Sequence, residues 1–534
     1  MKTDKIVIVG GGSAGWMTAA TLIKSFPERD ISVIESPDVP SIGVGESTLG
    51  QINRWMKYLE IDDDDFIPFV NGTYKMSIKF TDFYKKDSGS FHYPFGRPYR
   101  EDTESPIEDW HIVKYFHPEL KQSDMVDMLF PAAQLFNSNR FSDNVDGEFN
   151  DFDPIADVAY HFDAVRFGVW LKEMYCLPRG VKHIEKHVEA IAVNEDGIEY
   201  LMMKDGETIT SDLFIDCTGF KSLLLSGALK EPFIPYDHIL FNNAAWAVQI
   251  PYIDKELELQ PYTNCTAIEN GWCWNIPLWT RIGTGYNYST KFVSDEDALE
   301  QLKNYLCSDK MTIPRSREYV ESLTFRNLKT RVGIQERSWV KNVVAIGLSS
   351  GFIEPLESNG LFSVHEFLFI LVDILQKGNV NQFDRSMYNT EIKDMFDGFA
   401  KFVSMHYAMS SREDTPYWKA ISNHEFTEGT DRNPHTEFMH RSAAFYSAAR
   451  LFFDTFKSRD DLSGMNYISV GLGYNLFNSA RVSRLESYVG KDKVIEKAEL
   501  LYDKMISNVS RWSLEAEKSP KIIDYMRDRF YNNE

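Results

Sequence analysis

Ile6-Val7-Ile8-Val9 is an unbroken apolar run, the pattern of a central parallel strand buried on both faces. A glycine-rich stretch follows, then a helical pattern from about residue 15 to residue 25, then Ile31-Ser32-Val33-Ile34-Glu35 as a second strand. Strand, helix, strand in this compass is a βαβ unit. Leu213-Phe214-Ile215-Asp216 and Val343-Val344-Ala345-Ile346 have the same continuous apolar character, and each runs into glycine, Gly219 and Gly347. Both predict further parallel strands. From Phe69 to about Phe136 aromatic residues mix with turn signals such as Pro94-Phe95-Gly96, which predicts strands and long loops. Residues 155–230 return to α/β character, and residues 235–325 alternate as strands do. From about Gln382 the period becomes helical. Val494, Ile495, Ala498, Leu501 and Met505 share one helical face, and Phe367 to Leu375 reads as a buried helix.

The α/β pieces recur at the start, in the middle and near residue 345, with no linker between them. This predicts one α/β nucleotide-binding unit over residues 1–380 with β-rich insertions at about 69–150 and 235–325. A mostly helical section over 381–534 packs on it and covers the substrate. At roughly 100–200 residues per domain, 534 residues suit two or three such units.

Composition narrows the partners. A net charge of -22 argues against nucleic acid and against an anionic membrane surface. It leaves room for an anionic cofactor held locally by backbone N–H groups. Cys176, Cys217, Cys265, Cys273 and Cys307 are odd in number and show no zinc spacing, so reduced thiols, no metal and a cytoplasmic location are expected. The first residues run straight into a strand, unlike a signal peptide, and no stretch is long and apolar enough for a membrane helix.

Gly10-Gly11-Gly12-Ser13-Ala14-Gly15 fits G-x-G-x-x-G between a strand and a helix. Gly10 permits the turn, Gly12 lets a pyrophosphate approach the backbone at Ser13 and Ala14, and Gly15 lets the helix pack on the strand. Glu35, twenty residues beyond Gly15, is placed to accept from ribose hydroxyls. The loop alone does not choose between FAD and NAD. The additional strand-end loops, Asp216 to Gly219 and Gly347 to Gly351, favour FAD in a Rossmann-like unit of the flavin monooxygenase type. No convincing second glycine fingerprint is present for a nicotinamide; Gly471-Leu472-Gly473 fits poorly. A separate NAD(P)H-dependent flavin reductase is the natural partner.

Gly271-Trp272-Cys273-Trp274-Asn275-Ile276-Pro277 matches G-W-x-W-x-I-P. With Gly43 to Thr48, Asp216 to Phe220, Arg281 to Tyr288, Pro355 to Ser358, His406-Tyr407 and Arg412 to Trp418, the chain resembles the flavin-dependent halogenases of the tryptophan halogenase family, and a phage source for this member is one expectation. The resemblance spans nearly the whole chain. It implies that reduced FAD and dioxygen oxidise halide to hypohalous acid, which travels to a lysine and halogenates an electron-rich aromatic ring. It assigns Lys79 and Glu357 as catalytic. It adds Gly45, Glu46, Ser47, Gly347 and Ser358 to the cofactor site, Asn359 and Gly360 to the halide, and Trp272 and Trp274 to a wall between flavin and substrate. A homodimer is implied by the family, and a host cytoplasm if the source is a phage.

Two departures bear on the substrate. Tyr93 stands where the family's tryptophan enzymes have histidine, with His92 shifted by one, while Phe95 keeps the aromatic that sandwiches an indole. The family's clamp for the tryptophan amino-acid group has no counterpart; Phe445, Tyr446, Phe452 and Phe453 occupy that region. The expected acceptor is therefore another indole, a phenol or a larger aromatic. Two alternatives are a single-component FAD-dependent aromatic hydroxylase and a non-catalytic flavoprotein.

Overall fold

The computed structural model describes residues 3–38, 46–99, 106–143, 147–149, 152–154, 156–422, 467–475 and 479–532. The fold is mixed α/β with a Rossmann-like sheet and a helical C-terminal section. Its six-stranded sheet runs in the order Trp339–Val340, Val343–Ala345, Leu213–Asp216, Lys5–Val9, Asp30–Glu35, Lys182–Glu185. All neighbours are parallel except the first pair. The apolar runs are strands here because both sheet faces are covered, and Ile6, Val7 and Ile8 are wholly buried.

A seven-stranded sheet carries the other half of the site. Its order is Arg326–Lys329, Ala244–Ile250, Ile282–Tyr288, Gly271–Pro277, Tyr262–Ile268, Ser77–Thr81, Ser90–Pro94. It is antiparallel except between Ser77–Thr81 and Tyr262–Ile268. The helix Asp295–Leu306 closes one face, burying Ala298, Leu302, Tyr305 and Leu306 against Val248, Cys273, Ile282 and Tyr286. The opposite face joins the main core with the helices Gly360–Leu375 and Gln382–Ala408.

Residues 69–136 depart from the expected strands and long loops. The strands Thr73–Lys75, Ser77–Thr81 and Ser90–Pro94 form, but Pro106–Phe116, Asp124–Leu129 and Ala133–Asn137 are helices. Pro106 opens the first of these, with Glu108 and Asp109 in its first turn, which is a helix-start signal. Trp110 and Val113 are then buried one turn apart. In the helix Lys491–Ala516, Val494, Ala498 and Met505 are buried, and Ile495 and Leu501 are half-buried. Among the described residues, no helix is long and apolar enough to cross a membrane and no His/Cys/Asp/Glu cluster could hold a metal.

Candidate active site

The glycine loop sits at the end of the first strand. Gly10 has φ +115°, and a Cβ there would overlap the Cys217 carbonyl. A Cβ on Gly15 would overlap the Gly10 carbonyl, whereas one on Gly12 would meet nothing within 4 Å. Only glycine lets strand and helix close at the first two positions, while Gly12 faces open space. Gly12 caps the helix Ser13–Ser25 with no side-chain bond to its first-turn N–H groups and no acidic residue in that turn. The Ser13 hydroxyl is drawn aside to the Ala164 carbonyl at 3.0 Å. Gly347, at φ +69°, packs against the Ala14 Cβ. Glu35 ends its strand half-exposed, with the His183 Nε2 at 2.9 Å and the Lys172 ammonium at 3.8 Å from its carboxylate. These groups fit a dinucleotide: an uncapped helix start for pyrophosphate and a reachable carboxylate for ribose hydroxyls. Gly45 lies outside the described residues.

Pairing across the seven-stranded sheet assigns side chains to faces. Phe80 lies opposite Cys265, Cys265 opposite Trp274, and Trp274 opposite Gly285. A Cβ on Gly285 would overlap the Trp274 ring, so glycine there makes room for the indole. Trp272 and Trp274 share this face with ring centroids 6.1 Å apart at 62°. The Trp272 indole N–H donates to Glu354 Oε2 at 3.0 Å. The same oxygen accepts from Asn242 at 2.7 Å, Asn287 at 2.6 Å and the Tyr407 hydroxyl at 2.9 Å. Four donors on a buried carboxylate hold Trp272 in place, although burial still pushes the Glu354 carboxyl above the usual carboxylate range.

Glu357 is 1% exposed, in a tight turn before Ser358, which adopts φ +58°. Its Oε1 stands 2.6 Å from His406 Nε2. The lysine that reaches this cluster is Lys75. Its ammonium donates to the Ser358 hydroxyl at 2.8 Å and to the Thr48 carbonyl at 2.9 Å, lies 5.0 Å from the Phe95 ring, and feels the charge of Glu357. Burial pulls Lys75 down to about 7, against the opposing pull of Glu357. From Ser358 a buried chain of hydroxyls continues to Ser47 at 3.0 Å and on to Thr263 at 2.7 Å. It ends at His161, 2.9 Å from Thr263. Tyr93 stands edge-on to Phe95 at 6.1 Å and to Phe402 at 6.5 Å.

Lys79, the expected catalytic lysine, is on the other face. It pairs with Asn264 and His92, and its ammonium lies 5.5 Å over the Tyr262 ring, half-buried. Its face continues through Thr81, Asn264 and Asn275 to Tyr305 beneath the helix Asp295–Leu306. The structure does not bring Lys79 to Glu357, because a strand sends alternate side chains to opposite faces and Phe80, not Lys79, points toward His406 and Glu357. The shift of His92 acts in the same way. His92 stacks on Phe136 at 4.8 Å on the Lys79 side, while Tyr93 faces Phe95.

The chain matches the tryptophan halogenase family over residues 5–469. The tryptophan 6-halogenase SttH of Streptomyces toxytricini is 35% identical over 438 residues, covering 78% of this chain and 80% of that protein. The tryptophan 7-halogenase RebH of Lentzea aerocolonigenes is 32% identical over 505 residues, covering 91% and 92%. Among solved structures, VirX1 in its apo form superposes with a TM-score of 0.88 at 35% identity over the whole of both chains. This chain belongs to the tryptophan halogenase family. It is an enzyme, a flavin-dependent halogenase that uses FAD and halide and acts on an aromatic substrate.

In this halogenase Asn359 caps the helix Gly360–Leu375, and its buried side-chain oxygen has no hydrogen-bond partner. The nearest group to the open side of Gly360 is the Glu46 carboxylate, 3.9 Å from where a Cβ would stand. Burial pushes Glu46 up to about 7. Phe445, Tyr446, Phe452 and Phe453 lie outside the described residues. Lys75, Glu354 and the contact of His406 with Glu357 are what sequence reasoning missed. No sequence signal singled out Lys75, because Lys79 likewise stands between two buried neighbours, Ile78 and Phe80.

Proposed function

We propose that this halogenase makes hypohalous acid from halide and dioxygen and delivers it to an electron-rich indole or phenol at Lys75 and Glu357. Bound reduced FAD would supply the two electrons that let dioxygen oxidise the halide. Gly10, Gly12, Ser13, Ala14, Gly15 and Glu35 hold its dinucleotide end, and Glu46, Ser47, Gly347 and Ser358 approach it from the facing loops. The backbone N–H groups of Asn359 and Gly360, at a helix start, bind the halide. Trp272, held by Glu354, and Trp274 beside it keep the organic substrate from the flavin while a small oxidant passes.

Lys75 is the residue that captures the oxidant. Its ammonium hydrogen-bonds and polarises hypohalous acid; its free amine forms a haloamine. With Lys75 drawn down to about 7, both forms are available near neutrality. Glu357 accepts the ring proton after substitution. Tyr93 and Phe95 line the acceptor side beside Lys75. The observation that carries this reading is the meeting of Lys75, Ser358 and Glu357 in a buried cluster on the tryptophan face.

The named relatives are tryptophan halogenases, and the acceptor proposed here is an indole or phenol lacking a dedicated amino-acid clamp. A separate NAD(P)H-dependent reductase supplies the reduced flavin, as is usual in two-component systems of this family. The division into residues 1–380 and 381–534, a homodimer, a cytoplasmic site of action and a phage source belong to the same proposal. The test is a halide-by-arene screen with an added flavin reductase, tryptophan included, read by mass spectrometry. Halide-dependent brominated or chlorinated indoles are expected. Hydroxylated products formed without halide would overturn the reading.

A further inference from the structure

His406 takes no part in the chemistry above, yet it makes the shortest polar contact that Glu357 has. It is wholly buried on the helix Gln382–Ala408, packed against the Phe80 ring at 5.0 Å and the Phe402 ring at 5.3 Å. Its Nδ1 lies 3.1 Å from the Phe402 carbonyl oxygen. A carbonyl only accepts, so Nδ1 carries a hydrogen. In a neutral ring Nε2 would then present a lone pair, and that nitrogen stands 2.6 Å from Glu357 Oε1. The contact is short without being aligned as a hydrogen bond, and Nε2 and both Glu357 oxygens have no other hydrogen-bond partner. Two unprotonated acceptors at that separation, away from water, repel one another. One proton between them turns the repulsion into a charge-assisted hydrogen bond.

We propose that His406 and Glu357 share one proton, and that His406 is thereby the positioning residue that keeps Glu357 ready to take the proton from the halogenated ring. The step rests on the role proposed for Glu357 above. With the shared proton on Nε2, Glu357 is ionised, its Oε1 is held, and Oε2 has no partner. Once the carbon–halogen bond has formed, the C–H bond at that carbon breaks and its electron pair returns to the ring. The proton passes to Oε2. The pair then carries two protons and releases one to regain its resting state.

The charged and titratable groups facing the pair come from four elements. Lys75, from Thr73–Lys75, acts on Glu357. Cys265, from Tyr262–Ile268, also lies in the field of Glu357. Glu354, three residues before Glu357, lies in the field of His406. The Tyr407 hydroxyl is committed to Glu354 at 2.9 Å. With Lys75 next to Glu357 and Glu354 next to His406, each partner faces opposite charge, which favours the form in which the proton rests on the imidazole.

The full chain, labelled with [15N]histidine and free of FAD, tests the shared proton without any halogenation. The His406→Gln variant identifies the His406 signals. At one neutral pH, the 15N shifts are expected to show a proton on both ring nitrogens of His406 in the wild type and on Nδ1 alone in Glu357→Gln. The same protonation of His406 in both proteins would overturn the proposal. Turnover of an acceptor deuterated at the halogenated carbon gives the second measurement. In His406→Gln, kcat should fall at least about tenfold and an isotope effect should emerge or grow, because proton removal becomes slow. A loss of kcat with no change in isotope effect marks a purely structural histidine and also overturns it. If the proton is shared but Glu357→Gln halogenates like the wild type, the role given to Glu357 fails while the pair stands. If halogenation is confirmed but His406 carries the same protons with and without the Glu357 carboxylate, only the present inference falls.

Discussion

The two faces of the seven-stranded sheet are built from the same alternating strands but do different work. One face carries Phe80, Cys265, Trp272 and Trp274 and is covered by His406, Glu354 and Glu357. Polar atoms there are deeply buried, and several lack partners: one oxygen of Glu354, both of Glu357, and His406 Nε2. The other face carries Lys79, Thr81, Asn264 and Asn275, and its hydroxyls and amides pair with one another and with Tyr305, leaving the Asn275 side-chain oxygen as the single unpartnered atom among these groups. A satisfied polar face serves stability. Buried acceptors left short of donors cost about 1–3 kcal/mol each, and such groups persist where chemistry requires them. Lys75 stands beside the unsatisfied carboxylate of Glu357, whereas Lys79 stands on the face where most polar groups are paired.

The largest effect that would break this contrast concerns Lys75. Lys75→Ala should lower kcat by about a thousandfold with FAD binding retained, measured by product formation and by flavin titration. Halogenation near the wild-type rate would remove Lys75 from the mechanism. Next, Glu354→Ala strips the acceptor from four donors, and urea unfolding should show a loss of at least about 3 kcal/mol with a red-shifted tryptophan emission. A cost below about 1 kcal/mol would mean that the network does not pin Trp272.

A subtler measurement concerns pH. Lys75 sits at about 7 in the folded protein, below its ordinary lysine value, so between about pH 7 and pH 10 the unfolded chain binds more protons at this position. Its contribution therefore makes the FAD-free protein more stable as pH rises through that window. Lys75→Met should flatten the rise, seen in urea midpoints at about pH 6.5 and pH 9.5. Identical slopes would place Lys75 in a more polar setting than its partners indicate. The smallest effect is expected at Lys79: Lys79→Ala should leave kcat within about threefold of wild type. A collapse of activity there would reverse the assignment of the two faces.

Much of this was legible along the chain. The glycine loop, Glu35 and the strands ending at Asp216 and Ala345 follow from local patterns, because a βαβ turn imposes its requirements on adjacent residues. The separation of His92 from Tyr93 was readable too, since one residue along a strand changes the face. The helix beginning at Pro106 was masked by the aromatic density of its surroundings, although proline followed by acidic residues announced it. Which lysine meets Glu357 was not legible, for a different reason. Thr73–Lys75 pairs in a separate three-stranded sheet and Ser77–Thr81 in the seven-stranded one, with Met76 as the joint between them. Alternation holds within a strand and is lost across such a joint.

The sequence by itself determined the α/β fold with its Rossmann-like sheet, the dinucleotide loop and the tryptophan pair, because each depends on residues close together in the chain. Only the tertiary structure decided which lysine meets Glu357. Lys75 is buried against a serine 283 residues away, on a turn whose Ser358 holds a left-handed conformation. Taking a lysine out of water is tolerable only where such distant partners receive its hydrogens, and those partners are assembled by the fold.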